Sequence, residues 1–277
     1  MSDLLAAMAA LRTPAATAAG RGVTSDLTID ETLLLHSVGW EPVDLVVGVS
    51  WWSLPWSSWQ WRTGEVGEAS QAFAGAMAQA TDEMRQECLR AGGTGVVGVA
   101  VELSVRSTNI QVALAGTAVR AIDHHPRPPG KGRSAATFVS DLSARDFSLL
   151  LRAGWAPVSL VAGASFVIAP RRSASQWAQQ KTQSMEMPNL TQALYLARER
   201  AMERMQEGAM SAGADGVVGV KLQEGPLAHN ARVMRFIAVG TAITLVEVEH
   251  RTVSPTMVVS LDDPVVQFAA TTLGAQV

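Results

Sequence analysis

Apolar residues recur along this chain with two periods, helical spacing in long mixed-polarity stretches and strand-length apolar runs between them. The clearest helical stripe is Ala72, Phe73, Ala76, Ala80, Met84, Cys88 and Ala91, and it recurs at Ala193, Leu194, Ala197, Ala201, Met205, Ala209 and Ala212. The β-rich runs are residues 42–49, 95–106 and 110–122, then 157–165, 216–223 and 232–248. Every element therefore occurs twice in the same order, the signature of an internal duplication. Short words of sequence repeat with it. Ser25-Asp26-Leu27, Gly39-Trp40, Gly95-Val96-Val97-Gly98-Val99 and Gly116-Thr117-Ala118 return as Ser140-Asp141-Leu142, Gly154-Trp155, Gly216-Val217-Val218-Gly219-Val220 and Gly240-Thr241-Ala242. The spacing between copies is 115 residues at Ser25 and Ser140, 121 at Gly95 and Gly216, and 124 at Gly116 and Gly240. Growth in steps places the length changes in loops between fixed elements.

Local signals set the ends of these elements. Thr28 and Glu31 form a capping box, Ser143 and Asp146 a weaker one, and each opens a short helix. Leu33, Leu34 and Leu35, matched by Leu149, Leu150 and Leu151, supply the predicted apolar face, and Gly39 or Gly154 ends the helix. Asn189 with Gln192 three residues on is the predicted N-cap of the second long helix, and Arg198, Glu199, Arg200, Glu203, Arg204 and Glu207 read as its solvated face. Ser107-Thr108-Asn109 joins the first hairpin, and a longer turn containing Gly225-Pro226 joins the second. The predicted class is α+β: two tandem β-α-β-β domains, each preceded by a short capped helix, with mainly antiparallel sheets. The predicted boundaries are a flexible N-terminal arm over residues 1–22, a first domain over 23–123, a Pro/Gly linker over 124–137, a second domain over 138–250 and a C-terminal extension over 251–277.

The chain has 277 residues, a mass of 29.3 kDa and a net charge of −3, with charged residues at 17%. Two domains with a modest core each fit that length. No basic face is visible, which argues against nucleic acid as a partner. The single cysteine, Cys88, excludes an intramolecular disulfide framework and suits a reducing compartment, so the expected location is the cytoplasm. The alanine-rich start carries Asp3 and no basic stretch, unlike a secretory signal, and no apolar run reaches the roughly 18 residues of a membrane span.

Candidate chemistry is sparse. His36, His124, His125, His229 and His250 include no pair at helical i, i+4 spacing and no partnering CxxC, so no metal ligand set emerges. Met185, Met187, Met202, Met205 and Met210 raise a soft-metal site as an alternative to packing. Cys88 aligns with Ala209 on the apolar stripe and reads as an inert core thiol. Residues 93–98 spell GxGxxG, but helix precedes strand there, the reverse of the order in which a phosphate meets a helix N-terminus. Asp26 and Asp141 recur just ahead of the capping boxes, where a local backbone role suffices. No nucleophile elbow, carboxylate pair or catalytic triad is repeated, and the expectation is a protein without a catalytic step or an identifiable cofactor.

One segment resists a packing explanation. Trp51, Trp52, Trp56, Trp59 and Trp61 fall in the predicted connection between first strand and long helix, and the second copy replaces them with Phe166 and, later, Trp177. Five indoles carry on the order of 1,000 Å² of surface. The largest exposed apolar patch of a soluble monomer is about 300–600 Å². Something must cover them: neighbouring subunits, membrane headgroups, or a stacked aromatic ligand such as a flavin. Only Arg62 is near to attract anionic lipid, so a peripheral membrane contact is the weaker reading.

Ala197-Arg198-Glu199 with Ala201, then Gly213-Ala214-Asp215-Gly216-Val217-Val218-Gly219-Val220, then Val239-Gly240-Thr241-Ala242 resemble the YbjQ-like family, whose domains also carry the name "putative heavy-metal-binding". The resemblance spans most of residues 140–248 and, more degenerately, 25–122. It implies a β-α-β-β fold, homopentameric rings in which the tryptophan-bearing connection makes subunit contacts, and no defined ligand set. Similar small β-α-β-β oligomers, the dodecins, sandwich flavins between tryptophans. The expected function is a non-enzymatic structural or scaffolding protein, a homo-oligomer of five tandem chains stacked as two pseudo-equivalent rings that could build a shell or filament. The alternative is a small-molecule or heavy-metal binding module using the tryptophans or the His and Met side chains.

Overall fold

The computed structural model describes residues 23–54, 63–106, 108–122, 137–171, 186–227 and 230–246. In the first copy, helix α1 (Ile29–Ser37) leads into strand β1 (Trp40–Ser53), a short strand β2 (Gly64–Glu65), helix α2 (Gly67–Arg90) and the hairpin β3 (Gly95–Val105) and β4 (Asn109–Ala121). The second copy runs β5 (Phe138–Val139), α3 (Ala144–Arg152), β6 (Trp155–Ile168), α4 (Pro188–Ser211), β7 (Gly216–Leu227) and β8 (Asn230–Leu245). The fold is α+β with two largely antiparallel sheets, as the pattern predicts.

The capping box at Thr28 forms in both directions, and Ser143 accepts the Asp146 N–H at 3.1 Å. Gly39 and Gly154 close the short helices with φ of 79° and 78°. Their leucines are less uniformly buried than predicted. Leu35 is in the core, whereas Leu33 and Leu149 face outward, and Phe147 rather than a leucine anchors α3. Helix α4 starts at Pro188 and not after Asn189, because proline favours the first helical position; Asn189 instead donates to the Pro170 carbonyl at 3.0 Å. Gly225 and Pro226 lie within β7, so the second hairpin turns later than expected.

The strand order departs from two self-contained domains. The sheets run β1-β4-β3-β5 and β2-β6-β8-β7, so each takes its fourth strand from the other copy. Phe138 and Val139 pair in parallel with Gly95 and Val96, while Gly64 and Glu65 pair with Ile168 and Val167. Helix α2 lies between the sheets and α4 covers the far face of the second. Along β6, Leu160, Ala164, Phe166 and Ile168 join α2 and the first sheet, and Val161 and Val167 on the opposite face join α4. One core cluster therefore spans both copies, beside a second cluster under α4 that lies wholly in the second copy. Gly48 and Gly163, equivalent in the repeat, let each helix lie directly on its own sheet: a Cβ at either would sit 2.0 Å from the carbonyl oxygen of Ala80 or Ala201.

Candidate functional site

Strand β1 continues through Trp51 and Trp52, which pair with Gln111 and Ile110. These two tryptophans are strand residues rather than part of a connection, and strand alternation sends them to opposite faces. Trp52 turns toward α2. Its Nε1 donates to Gln79 Oε1 at 3.1 Å, and its ring lies so close to Gly75 that a Cβ there would be 2.6 Å from Cη2. The second copy holds Val167 and Leu196 at these positions, exchanging a large strand residue over a small helix residue for the reverse. Trp51 points away from the helix and is 56% exposed. Trp56, Trp59, Trp61 and Trp177 lie outside the described residues.

The face bearing Trp51 also carries Leu45, Val47 and Val49 from β1 and Ala113 and Ala115 from β4, all exposed or half-buried. The corresponding residues of the second copy are Phe166, Leu160, Ala162, Ala164, Ile237 and Val239, which pack against α2 and the first sheet. Phe166 is 0% exposed. The helices differ in the opposite sense. Phe73, Met77 and Thr81 of α2 are buried, whereas their counterparts Leu194, Arg198 and Met202 on α4 are exposed or half-buried, and a shallow groove runs past Tyr195, Arg198, Met202 and Gln206. Among the described residues, the first copy thus keeps an open sheet face, and the second an open helix face.

Polar contacts lock the internal contact. Glu65, on the borrowed strand β2, reaches Arg200 and Arg204 of α4 at 2.5 Å each and accepts hydrogen bonds from Ser165 at 3.0 Å and Ser70 at 3.1 Å. Burial alone would raise this carboxyl, but the Arg204 and Ser165 hydrogen bonds, the Arg204 charge and the Ser70 hydroxyl outweigh it and hold the pKa below its ordinary value. Two arginines expected on a solvated face therefore serve the contact. The first-copy positions equivalent to Ser165, Arg200 and Arg204 are Ser50, Gln79 and Glu83. There Glu83 and Glu87 accept the outward-facing N–H groups of Val49 and Val47 at 3.3 and 2.6 Å. On the other side of α2, Arg85 donates to the Thr137 carbonyl at 3.2 Å and to Ser159 Oγ at 2.7 Å.

The repeated aspartates have a different role from the local one predicted. Thr117 Oγ1 donates to Asp26 at 2.5 Å and Thr241 Oγ1 to Asp141 at 2.7 Å. The Ser-Asp-Leu and Gly-Thr-Ala words recur together because they touch. Asp141 also faces Lys221 Nζ at 3.2 Å. Asp215 caps the end of β8, accepting from Thr244 Oγ1 at 2.8 Å and the Leu245 N–H at 2.9 Å.

Cys88 is fully buried and donates to the Gly95 carbonyl at 3.3 Å, and desolvation pushes its pKa up to about 11. Met205 is in the core, but Met187 and Met210 are exposed, so packing does not account for all the methionines. His36 is exposed on α1, and Met185 and the other histidines fall outside the described residues. Among the described residues, no three His, Cys, Asp or Glu side chains are grouped to hold a metal ion, and no helix is long and apolar enough to cross a membrane.

The YbjQ family, described as "Putative heavy-metal-binding", matches residues 60–122 and 177–246, one segment in each copy. Encapsulin nanocompartment protein Rv1762c of Mycobacterium tuberculosis is 34% identical over 250 residues, covering 88% of this chain and 94% of that protein. This chain belongs to the YbjQ family. Two UPF0145 proteins of Halobacterium salinarum are each 42% identical over 60 residues, 22% of this chain and 56% of their own length. In this tandem YbjQ chain both matched segments begin ahead of a long helix and end with the hairpin.

Proposed function

We propose that this chain is a non-enzymatic structural protein of the cytoplasm that assembles with copies of itself as part of a protein nanocompartment. The observation that carries the reading is the fate of one position: Phe166 is sealed by a neighbouring copy inside the chain, while Trp51 at the same place in the first copy is 56% exposed. Exposed tryptophan beside Leu45, Val47 and Val49 on a sheet face suits a subunit contact. The name of the mycobacterial relative, which matches along nearly its whole length, supports the link to a nanocompartment. Five chains are the proposed complement, arranged as alternating copies in one layer. Two stacked rings fit less well, because the second face of α2 is already occupied by β6 of the same chain.

The test is native mass by light scattering on a sizing column, for the wild type and for Trp51→Ser. A wild-type mass of several chains that falls in the variant supports the reading; a monomeric wild type defeats it. Because Trp51 and Trp52 point to opposite faces of β1, they do not form one aromatic clamp, which weighs against the ligand-binding alternative. Flavin quenching of tryptophan fluorescence that is lost in Trp51→Ser, without a change in mass, would restore that alternative.

A further inference from the structure

We infer that successive chains join head to tail by the same contact that joins the two copies within a chain: the exposed β7 edge and outer α4 face of one molecule receive residues 23–27 and the Trp51 sheet face of the next. This rests on the assembly reading above and names the surfaces that carry it.

Within the chain, residues 138–142 lie along the β3 edge: Ser140 N–H donates to the Val96 carbonyl at 2.9 Å, Val99 N–H to the Ser140 carbonyl at 3.1 Å and Gly98 N–H to the Leu142 carbonyl at 2.8 Å. Among the described residues the equivalent edge on β7 carries no further strand in the sheet order, and its residues 219–224 are exposed. An open strand edge of this kind is a template for pairing with another chain. The equivalent donor segment is Val23-Thr24-Ser25-Asp26-Leu27, matching Phe138-Val139-Ser140-Asp141-Leu142, and Val23 is 60% exposed. It cannot occupy the β3 edge of its own copy, because β5 is already there.

The faces give a second, separate match. Leu194, Arg198, Met202 and Gln206 of α4 stand where Phe73, Met77, Thr81 and Arg85 of α2 meet β6, and the Trp51 face stands where the Phe166 face receives them. The Arg85 to Ser159 hydrogen bond of 2.7 Å maps onto Gln206 and Asp44, an amide donor facing a carboxylate. Both matches use unlike surfaces of two molecules in one relative placement, so the contact is heterologous and repeats until a ring closes or a filament grows.

The internal partners Val96 and Val139 become Val217 and Thr24 across the predicted contact. Paired strands lie about 4.8 Å apart, within the Cα range of roughly 4.4–6.8 Å that a disulfide spans. The Thr24→Cys/Val217→Cys variant of the full chain, oxidised and run on a non-reducing denaturing gel, is expected to shift most chains into a ladder extending beyond dimers. Thr24→Cys with Glu224→Cys, which lies beyond the paired stretch, is expected to give no ladder. An oligomeric native mass without a ladder overturns the head-to-tail contact and leaves self-assembly standing, whereas a monomeric wild type removes both. As an independent check, Trp51→Glu is expected to reduce the native mass to one chain with unchanged helical circular dichroism. An unchanged mass would also overturn the proposal.

Discussion

Phe166 and Trp51 occupy the same place in two copies of one fold, yet the first is sealed in the core and the second is 56% exposed. Their surroundings inside each copy are alike: both lie on the first strand, opposite the side covered by that copy's own long helix. What differs is the neighbour. The second copy has the first copy's α2 against this face, and among the described residues of the chain the first copy has nothing equivalent. The duplication therefore contains its own reference state, with the buried copy indicating what the exposed copy is built to receive.

Truncating the same position in each copy separates the two environments. Phe166→Ala removes a fully buried ring from the shared core and should cost about 3–5 kcal/mol of stability. Trp51→Ala should change the stability of a dilute, dissociated chain by no more than about 1 kcal/mol, while lowering native mass. Urea unfolding at low protein concentration measures both. Equal losses would mean that Trp51 already has a structural role within the single chain.

A second test exchanges features between copies. Gly75→Leu installs the second-copy residue where the Trp52 ring leaves no room for a Cβ, and should cost about 2–3 kcal/mol, an overpacking penalty. Adding Trp52→Val completes the second-copy pair of Val167 and Leu196 and should recover at least half of that loss. A double-mutant cycle measures the coupling. Simple additivity would show that the two positions are not a packing unit.

Glu65→Gln weakens the contact between copies at its most polar point and should cost about 2 kcal/mol, the scale of hydrogen bonds to a charged group. Because the folded pKa is held below the ordinary value of 4.5, the stabilisation is complete at neutral pH and is lost as pH falls through the folded value. The wild type should therefore destabilise on acidification more steeply than Glu65→Gln. Parallel pH profiles from thermal unfolding would mean that the carboxylate adds nothing to the contact.

Much of this fold was legible in sequence, since a repeat doubles every weak local signal. The long helices, the Thr28 capping box, the glycine stops and the strand runs all follow from periodicity and turn chemistry that act over a few residues. The exchange of edge strands was not legible. Gly64-Glu65 and Phe138-Val139 are two residues each, too short to have a period, and their pairing is decided by which edge is free in three dimensions. The same limit hid the role of Arg200 and Arg204, which look solvated on a helical wheel until Glu65 arrives from 135 or more residues away. Of the tryptophans, composition revealed the excess, but strand alternation beyond the apolar run decided that Trp51 and Trp52 face opposite ways.

The smallest expected effect concerns a position where the two copies should behave alike. Cys88 and Ala209 share a place on the buried stripe, so Cys88→Ala makes the first copy resemble the second and should change stability by about 1 kcal/mol or less. With its pKa pushed up to about 11, the thiol is ionised in only about one molecule in a thousand at pH 8. It is also enclosed between α2 and the Gly95 strand. A maleimide probe should therefore react at least about 100-fold more slowly with the native protein than with the unfolded chain, because reaction needs both a thiolate and an opening of the helix from the sheet. Rapid native labelling would place that opening among frequent motions. The contact between copies would then be looser than its buried Phe166 implies.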